Sequence, residues 1–303
     1  MHSKTRLNKT NADFKKITFV GTANLGSNYG PHLNSGKFPE GEIDRLLGTI
    51  AEDSRIYLDT ADSYRNSQEL IGKFAPNKLN NKIKTKIRIR KGDNFQSIVK
   101  MVQQSLSTVK QDHFYSVLVH NSEELEDRNL VDIFSGLNLC VQKGLTAHIG
   151  MSCYESKTII EMKNLFSSLD HFQIQENIIS QENFDNMELN EVANSKSKIF
   201  VRSIFLQGLL LMNTNELPEY ISSETLEFKN FESFCNQIGI SKFKCCIEYA
   251  KSIPWSSGIV AGICNMNEYE ELVKEVYSPI SILEFPRFHL KKPFSDPRNW
   301  KKS

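Results

Sequence analysis

The sequence predicts a (β/α)8 barrel on three observations: the length of the chain, an alternation of short apolar runs with helical stripes, and the persistence of that alternation nearly from end to end. At 303 residues the chain exceeds the usual single-domain size but lies in the range that one such barrel fills. A single domain over 1–303 is therefore predicted, with the barrel at about 17–277 and a C-terminal tail at 278–303. Runs rich in apolar and β-branched residues at 17–21, 55–59, 82–86, 115–120, 147–151, 171–175, 198–203 and 257–262 read as strands. Helical spacing between them predicts helices at 40–52, 67–74, 95–109, 130–143, 155–166, 241–251 and 268–276. In 95–109, Ile98, Val102, Leu106 and Val109 fall on one stripe. Eight alternations suit a closed barrel, whereas an open doubly wound sheet usually stops near six strands.

Two stretches break the rhythm. One is the polar loop 27–37, rich in Gly, Pro, Ser and Asn; the other is the tail. Pro279, Pro286, Pro293 and Pro297 disfavour a regular helix there, while Phe285, Phe288, Phe294 and Trp300 can pack on a surface. The tail is predicted to cover one end of the barrel.

The formal net charge is +1, from acids and bases interspersed along the chain. No field points to nucleic acid or an anionic membrane, so a small molecule is the expected partner. The first twenty residues are basic and polar without an apolar centre, and no later run approaches a membrane span. These features read as a cytoplasmic protein. The six cysteines, Cys140, Cys153, Cys235, Cys245, Cys246 and Cys264, lack C-x-x-C spacing and read as reduced core residues, with no metal site.

In a barrel of this kind the working side chains stand where strands end, at the C-terminal face. Asp59 ends the second predicted strand, Tyr64 follows five residues later, Lys86 ends the third and His120 the fourth. A carbonyl that accepts hydride becomes an alkoxide, so its oxygen needs donors and a proton. Tyr64 and His120 suit those tasks. A nearby lysine cation favours the phenolate and lowers a tyrosine pKa, the effect expected of Lys86 on Tyr64, with Asp59 orienting the lysine. Each residue alone has an ordinary reading too: a cap for Asp59, a hydrogen-bonded structural histidine, an exposed aromatic, a solvated lysine in the basic run 82–91.

Together the segments resemble the aldo-keto reductase superfamily, whose members are (β/α)8 barrels that use nicotinamide cofactors. Leu58-Asp59-Thr60-Ala61-Asp62-Ser63-Tyr64 followed by Asn66-Ser67-Gln68-Glu69-Leu70-Ile71-Gly72 is similar to the signature that carries the catalytic aspartate and tyrosine. Thr85-Lys86-Ile87 resembles the catalytic-lysine segment, and Tyr115-Ser116-Val117-Leu118-Val119-His120-Asn121 the catalytic-histidine strand. His148-Ile149-Gly150-Met151-Ser152 after Gly144 is similar to the segment whose serine holds the nicotinamide carboxamide, a role the resemblance gives to Ser152. Phe172-Gln173-Ile174-Gln175-Glu176-Asn177 resembles the segment whose glutamine shares that task, which falls to Gln173. The stretch from Arg202 and Ser203 through Leu206 to Gly208 is similar to the one near the cofactor diphosphate, and Gly262 and Asn265 fall in the adenosine-clamping segment.

The chain departs from the family pattern at three places. Cys153 stands where many relatives place an asparagine beside the carboxamide serine, and Arg202 replaces the aromatic that stacks on nicotinamide. A planar guanidinium can stack likewise or reach a phosphate. Ile263-Cys264-Asn265 replaces the small residue, serine and base that clamp an adenosine 2′-phosphate, so NADPH and NADH both stand as cofactors. The resemblance implies reversible hydride transfer between NAD(P)H and an aldehyde or ketone, with Tyr64 as general acid, commonly in a monomer. Similarity of 202–208 to reductases of surface-polysaccharide sugars points to a sugar or keto-sugar. Two other classes remain: a cofactor-binding regulatory or scaffold protein on the same barrel, and a metal-dependent hydrolase using His120, His148, Glu176 and Asp59.

Overall fold

The eight predicted runs form strands because β-branched and aromatic residues alternate with small ones on a surface buried on both faces, as a parallel sheet requires. In the computed structural model, which describes residues 4–6, 16–27, 37–120, 125, 129–281, 284–291 and 294–300, they are β2 (Ile17–Gly21), β3 (Ile56–Asp59), β4 (Ile83–Ile87), β5 (Phe114–Val119), β6 (Thr146–Cys153), β7 (His171–Gln175), β8 (Lys198–Arg202) and β9 (Gly258–Gly262). They pair in parallel in chain order, and β9 returns to β2 to close the barrel. The (β/α)8 architecture is therefore present. The polar loop, apart from Ser27 and Lys37, and Asn121 lie outside the described residues.

The helices of the outer layer are α2 (Ile43–Glu52), α3 (Ser67–Phe74), α4 (Phe95–Val109), α5 (Leu130–Gln142), α6 (Ser156–Leu165), α7 (Met187–Asn194), α8 (Thr225–Ile238), α9 (Lys242–Ser252) and α10 (Met266–Tyr277); a single turn, α1 (Ala23–Gly26), follows β2. In α4 the predicted stripe is buried, and Asn94 caps the helix by accepting from the Gln96 and Ser97 amides in a capping box with Ser97. Gly72 lets α3 lie against α4, since a Cβ there would sit 2.1 Å from the Thr108 carbonyl oxygen. Gly150 does the same for the strands: a Cβ would sit 1.5 Å from the His171 carbonyl oxygen. α7 and α8 were not among the predicted helices. Among the described residues none of the helices is long and apolar enough to cross a membrane.

The inside of the barrel holds its own cluster, Phe19, Phe200 and Val260, flanked by Tyr57 and Tyr115. Lys84 ends among these rings, its Nζ 3.4 Å from the Phe19 centroid and 3.6 Å from that of Phe200. Burial holds its pKa well below the usual lysine range. Nearer the N-terminal end, His148 stacks on His171 with centroids 4.0 Å apart and bonds Asp170 at 2.7 Å through Nδ1.

The tail does not form a regular helix. Its β10 (Glu284–Pro286) pairs antiparallel with β1 (Lys4–Arg6); Phe288 packs on α8 and Phe285 on α9, and Leu290 is buried as well. It then returns to the C-terminal rim, where the Gln175 amide donates to the Ser295 carbonyl and a short turn, Pro297–Asn299, carries Arg298. Phe294 and Trp300 pack half-buried on the main core. Five cysteines are buried, as expected of core thiols; Cys264 is half-buried and faces the rim cavity.

Candidate active site

Asp59 closes β3, and its carbonyl is fixed by the Thr22 amide at 2.9 Å and the Thr22 hydroxyl at 3.1 Å. Its carboxylate then meets two donors, the Lys86 ammonium on Oδ1 and the Gln173 amide on Oδ2. All three side chains are at most 3 % exposed. A buried charge of this kind persists only when paired and hydrogen-bonded, as this one is.

The chain leaving β3 stays stitched to β4: the Thr60 amide donates to the Lys84 carbonyl at 2.9 Å, and the Asp62 amide to that of Lys86 at 3.0 Å. The following turn, closed by Tyr64 N–H on the Ala61 carbonyl at 3.1 Å, turns Tyr64 back over the rim before α3 begins. Lys86 Nζ stands 5.1 Å from the Tyr64 ring centroid. His120 follows β5, its amide held by the Ile87 carbonyl at 2.9 Å. Its ring meets Tyr64 edge-on, with centroids 5.7 Å apart at 83°.

Burial pushes the Tyr64 phenol well above the usual tyrosine range, the Asp59 carboxylate adds to this, and Arg202 opposes it. The phenol is therefore protonated at neutral pH and has a proton to give. Lys86, held by Asp59, stands beside the Tyr64 ring, and Arg202 is a cation that opposes the rise. His120 is moved the other way. Burial, with the charges of Lys86 and Arg202, brings it down to about 3, so the imidazole is neutral at neutral pH.

A neutral imidazole donates from one nitrogen only. Ser63 Oγ lies 3.0 Å from His120 Nδ1, and a hydroxyl donated there leaves the proton on Nε2, where it can reach a carbonyl oxygen. Ser63→Ala is expected to lower kcat about 3- to 10-fold, the worth of one neutral hydrogen bond, and Ser63→Thr to restore it. Steady-state kinetics with a cofactor titration check this; a loss in cofactor affinity with kcat unchanged would reject the positioning role.

These four groups open on a cavity of about 500 Å³. Of the twelve residues read from the sequence it collects ten: Asp59, Tyr64, Lys86, His120, Ser152, Gln173, Arg202, Ser203, Gly208 and Gly262. Two are placed elsewhere. Leu206 is a fully buried core side chain, and Asn265 caps α10, its Oδ1 accepting from the Glu268 amide at 2.9 Å. The charged side chain facing the cavity there is Glu268, whose Oε2 takes the Cys264 amide at 2.8 Å.

Asn24, Arg88, Tyr154, Cys264, Glu268 and Arg298 also line the cavity and were not assigned to it from the sequence. Strand alternation could have found two of them, since Arg88 continues the Lys84, Lys86 face of β4 and Tyr154 the Ser152 face of β6. Arg202 is tied down by neutral oxygens: Nε to Ser152 Oγ at 3.2 Å, Nη1 to Ser203 Oγ at 3.2 Å and Nη2 to the Cys153 carbonyl at 3.0 Å. After β8 the backbone is strained, with Ser203, Leu206 and Gln207 at φ of 60°, 47° and 52°. Non-glycine residues in that region cost on the order of 1–3 kcal/mol each and persist where packing over-determines them, here through buried Leu206, Leu209 and Leu210.

The cavity fits a nicotinamide dinucleotide. Gln173 Oε1 and Asn24 Oδ1 are buried acceptors with no hydrogen-bond partner among the described residues, and both residues line it. The amide of a nicotinamide supplies the kind of donor that Gln173 lacks. The hydrolase reading finds no such convergence: His148 is bound to Asp170, and Glu176 accepts from Tyr249 at 2.8 Å and Asn183 at 3.2 Å.

Comparison with known proteins agrees with this fold. Solved structures of similar fold include the holo form of an aldo-keto reductase from Bacillus halodurans, at 18% identity and a TM-score of 0.68 over 93% of either chain. Another is a thermostable aldo-keto reductase in complex with the inhibitor epalrestat, at 18% identity and a TM-score of 0.66 over 92% of this chain and 96% of that one. None of the curated protein sequences matches significantly. The sequence model of the Aldo/keto reductase family matches residues 18–289, nearly the whole barrel and part of the tail, and the chain therefore belongs to that family of NAD(P)H-dependent oxidoreductases.

Proposed function

We propose that the protein reversibly reduces an aldehyde or ketone, with Tyr64 giving the proton to the carbonyl oxygen and His120 orienting it. One observation carries this reading: the Tyr64 and His120 rings meet edge-on in the cavity that also holds the buried Lys86–Asp59 pair. NAD(P)H bound beside them would supply the hydride. Gln173 and Ser152 would hold its carboxamide, and Arg202 would lie against the nicotinamide or the diphosphate. The purified protein should bind reduced cofactor and oxidise it only when a carbonyl is added. Binding without oxidation across a broad carbonyl panel would favour the scaffold reading instead.

The reacting end of the cavity is fixed by Tyr64, so the adenosine of a dinucleotide would extend toward the opposite end, at Gly262, Cys264 and Glu268. A carboxylate there repels a 2′-phosphate and suits ribose hydroxyls, which favours NADH. Glu268→Gln is expected to raise the NADPH-to-NADH affinity ratio about tenfold, from the usual worth of a charged contact. Fluorescence titration with both cofactors reads this, and an unchanged ratio would reject the placement. The substrate class we favour is a sugar or keto-sugar, on the similarity of 202–208 alone.

A further inference from the structure

Asp59 is bonded through both carboxylate oxygens, and the two bonds lead to different parts of the cavity. Oδ1 takes the Lys86 ammonium, which stands beside the Tyr64 ring, and Oδ2 takes the Gln173 amide. The second bond decides which way Gln173 faces. A primary amide carries donors on its nitrogen and an acceptor on its oxygen, and a half-turn of its last torsion exchanges the two at little intrinsic cost. A carboxylate only accepts, so beside Asp59 the nitrogen is held and the oxygen would be repelled.

Gln173 Oε1 is therefore turned away from Asp59, and it is a buried acceptor with no hydrogen-bond partner among the described residues. Gln173 lines the cavity, and its register partner on β6 is Ser152, which lines it too. A fixed acceptor and a hydroxyl thus stand side by side on neighbouring strands. That pair matches the N–H and the C=O of one primary amide.

We infer that Asp59 is a positioning residue for the cofactor as well as for Lys86: it locks the Gln173 amide oxygen toward the cavity, so that the subsite takes a nicotinamide N–H and rejects a ring substituent that has none. This rests on the reductase reading of the same cavity. One carboxylate then joins the residue that receives the cofactor amide to the lysine beside the proton donor.

The probes are NADH and its reduced 3-acetylpyridine analogue, in which a methyl ketone replaces the carboxamide and the N–H is gone. Calorimetric titration reads both dissociation constants without turnover. The wild type should bind NADH about tenfold more tightly, because the analogue leaves a buried acceptor without a donor. In Gln173→Met, which offers no amide oxygen to either compound, the lead should fall to about twofold or less. The deciding variants alter Asp59 and keep Gln173. In the double variant Lys86→Met, Asp59→Leu the amide is free to turn and can donate to the ketone, so the lead should shrink several-fold; Asp59→Asn, whose own amide can donate or accept, should shrink it likewise. A structural role for Asp59 alone would weaken both compounds together and leave their ratio where it was. Equal affinities in the wild type, a lead undiminished in Gln173→Met, or a lead that survives in both Asp59 variants would overturn the inference. Reduction of carbonyls by a wild type that binds both compounds equally would sink the lock and spare the reductase reading, whereas Asp59-dependent discrimination by a protein that reduces nothing would uphold the lock and sink that reading.

Discussion

Tyr64→Phe is expected to abolish carbonyl reduction, lowering kcat by roughly 10²–10⁴-fold, while the Kd for reduced cofactor stays nearly unchanged. The substitution removes one oxygen and leaves the ring that meets His120 edge-on, so the packing of the rim is kept. What disappears is the hydroxyl that, in the proposed reaction, gives its proton to the carbonyl oxygen. The phenol is a weak acid when buried beside Asp59, and the charge of Arg202 eases its ionisation. Stopped-flow or steady-state assays with a parallel cofactor titration check the result. A variant that still turned over at the wild-type rate would remove Tyr64 from the chemistry.

Lys86→Met is expected to fail in two ways at once. Activity should fall by about 10²-fold or more, because the reacting end loses a cation that holds Asp59 in place. Stability should fall by about 3–5 kcal/mol, because the buried Asp59 carboxylate loses its ion-pair partner and keeps the Gln173 amide. Pairing the change with Asp59→Leu removes the stranded charge, so the double variant should recover most of the stability and none of the activity. Denaturant unfolding of the single and double variants separates the two effects. A single variant as stable as the wild type would contradict a buried, paired charge.

Much of this was legible in the residues. The barrel strands could be read because a sheet covered on both faces concentrates apolar and β-branched residues in short runs, and α3 and α4 fall on the residues their stripes predicted. α7 was not legible because it buries only Leu189, which leaves no stripe to see. α8 begins at Thr225 without a side-chain cap, so nothing in the sequence marks its start. Asp59, Tyr64, Lys86 and His120 could be found since strand ends of a barrel converge. Asn265 sits at a spacing that suits a helix cap as well as a ligand contact, and only the fold shows its amide oxygen turned to the Glu268 N–H. Arg298 was beyond reach: its place depends on a tail that climbs past α8 and α9 before Ser295 meets Gln175.

The account rests on one claim, that this cavity passes a hydride to a carbonyl carbon and a proton from Tyr64 to its oxygen. Reduction of an aldehyde in the presence of NADH or NADPH deuterated at the transferable position tests it most directly. The account predicts an alcohol that carries the label on its carbinol carbon, formed by the wild type and not by Tyr64→Phe. Cofactor oxidation that leaves the carbinol carbon unlabelled, or labelled alcohol formed equally by both proteins, would contradict it.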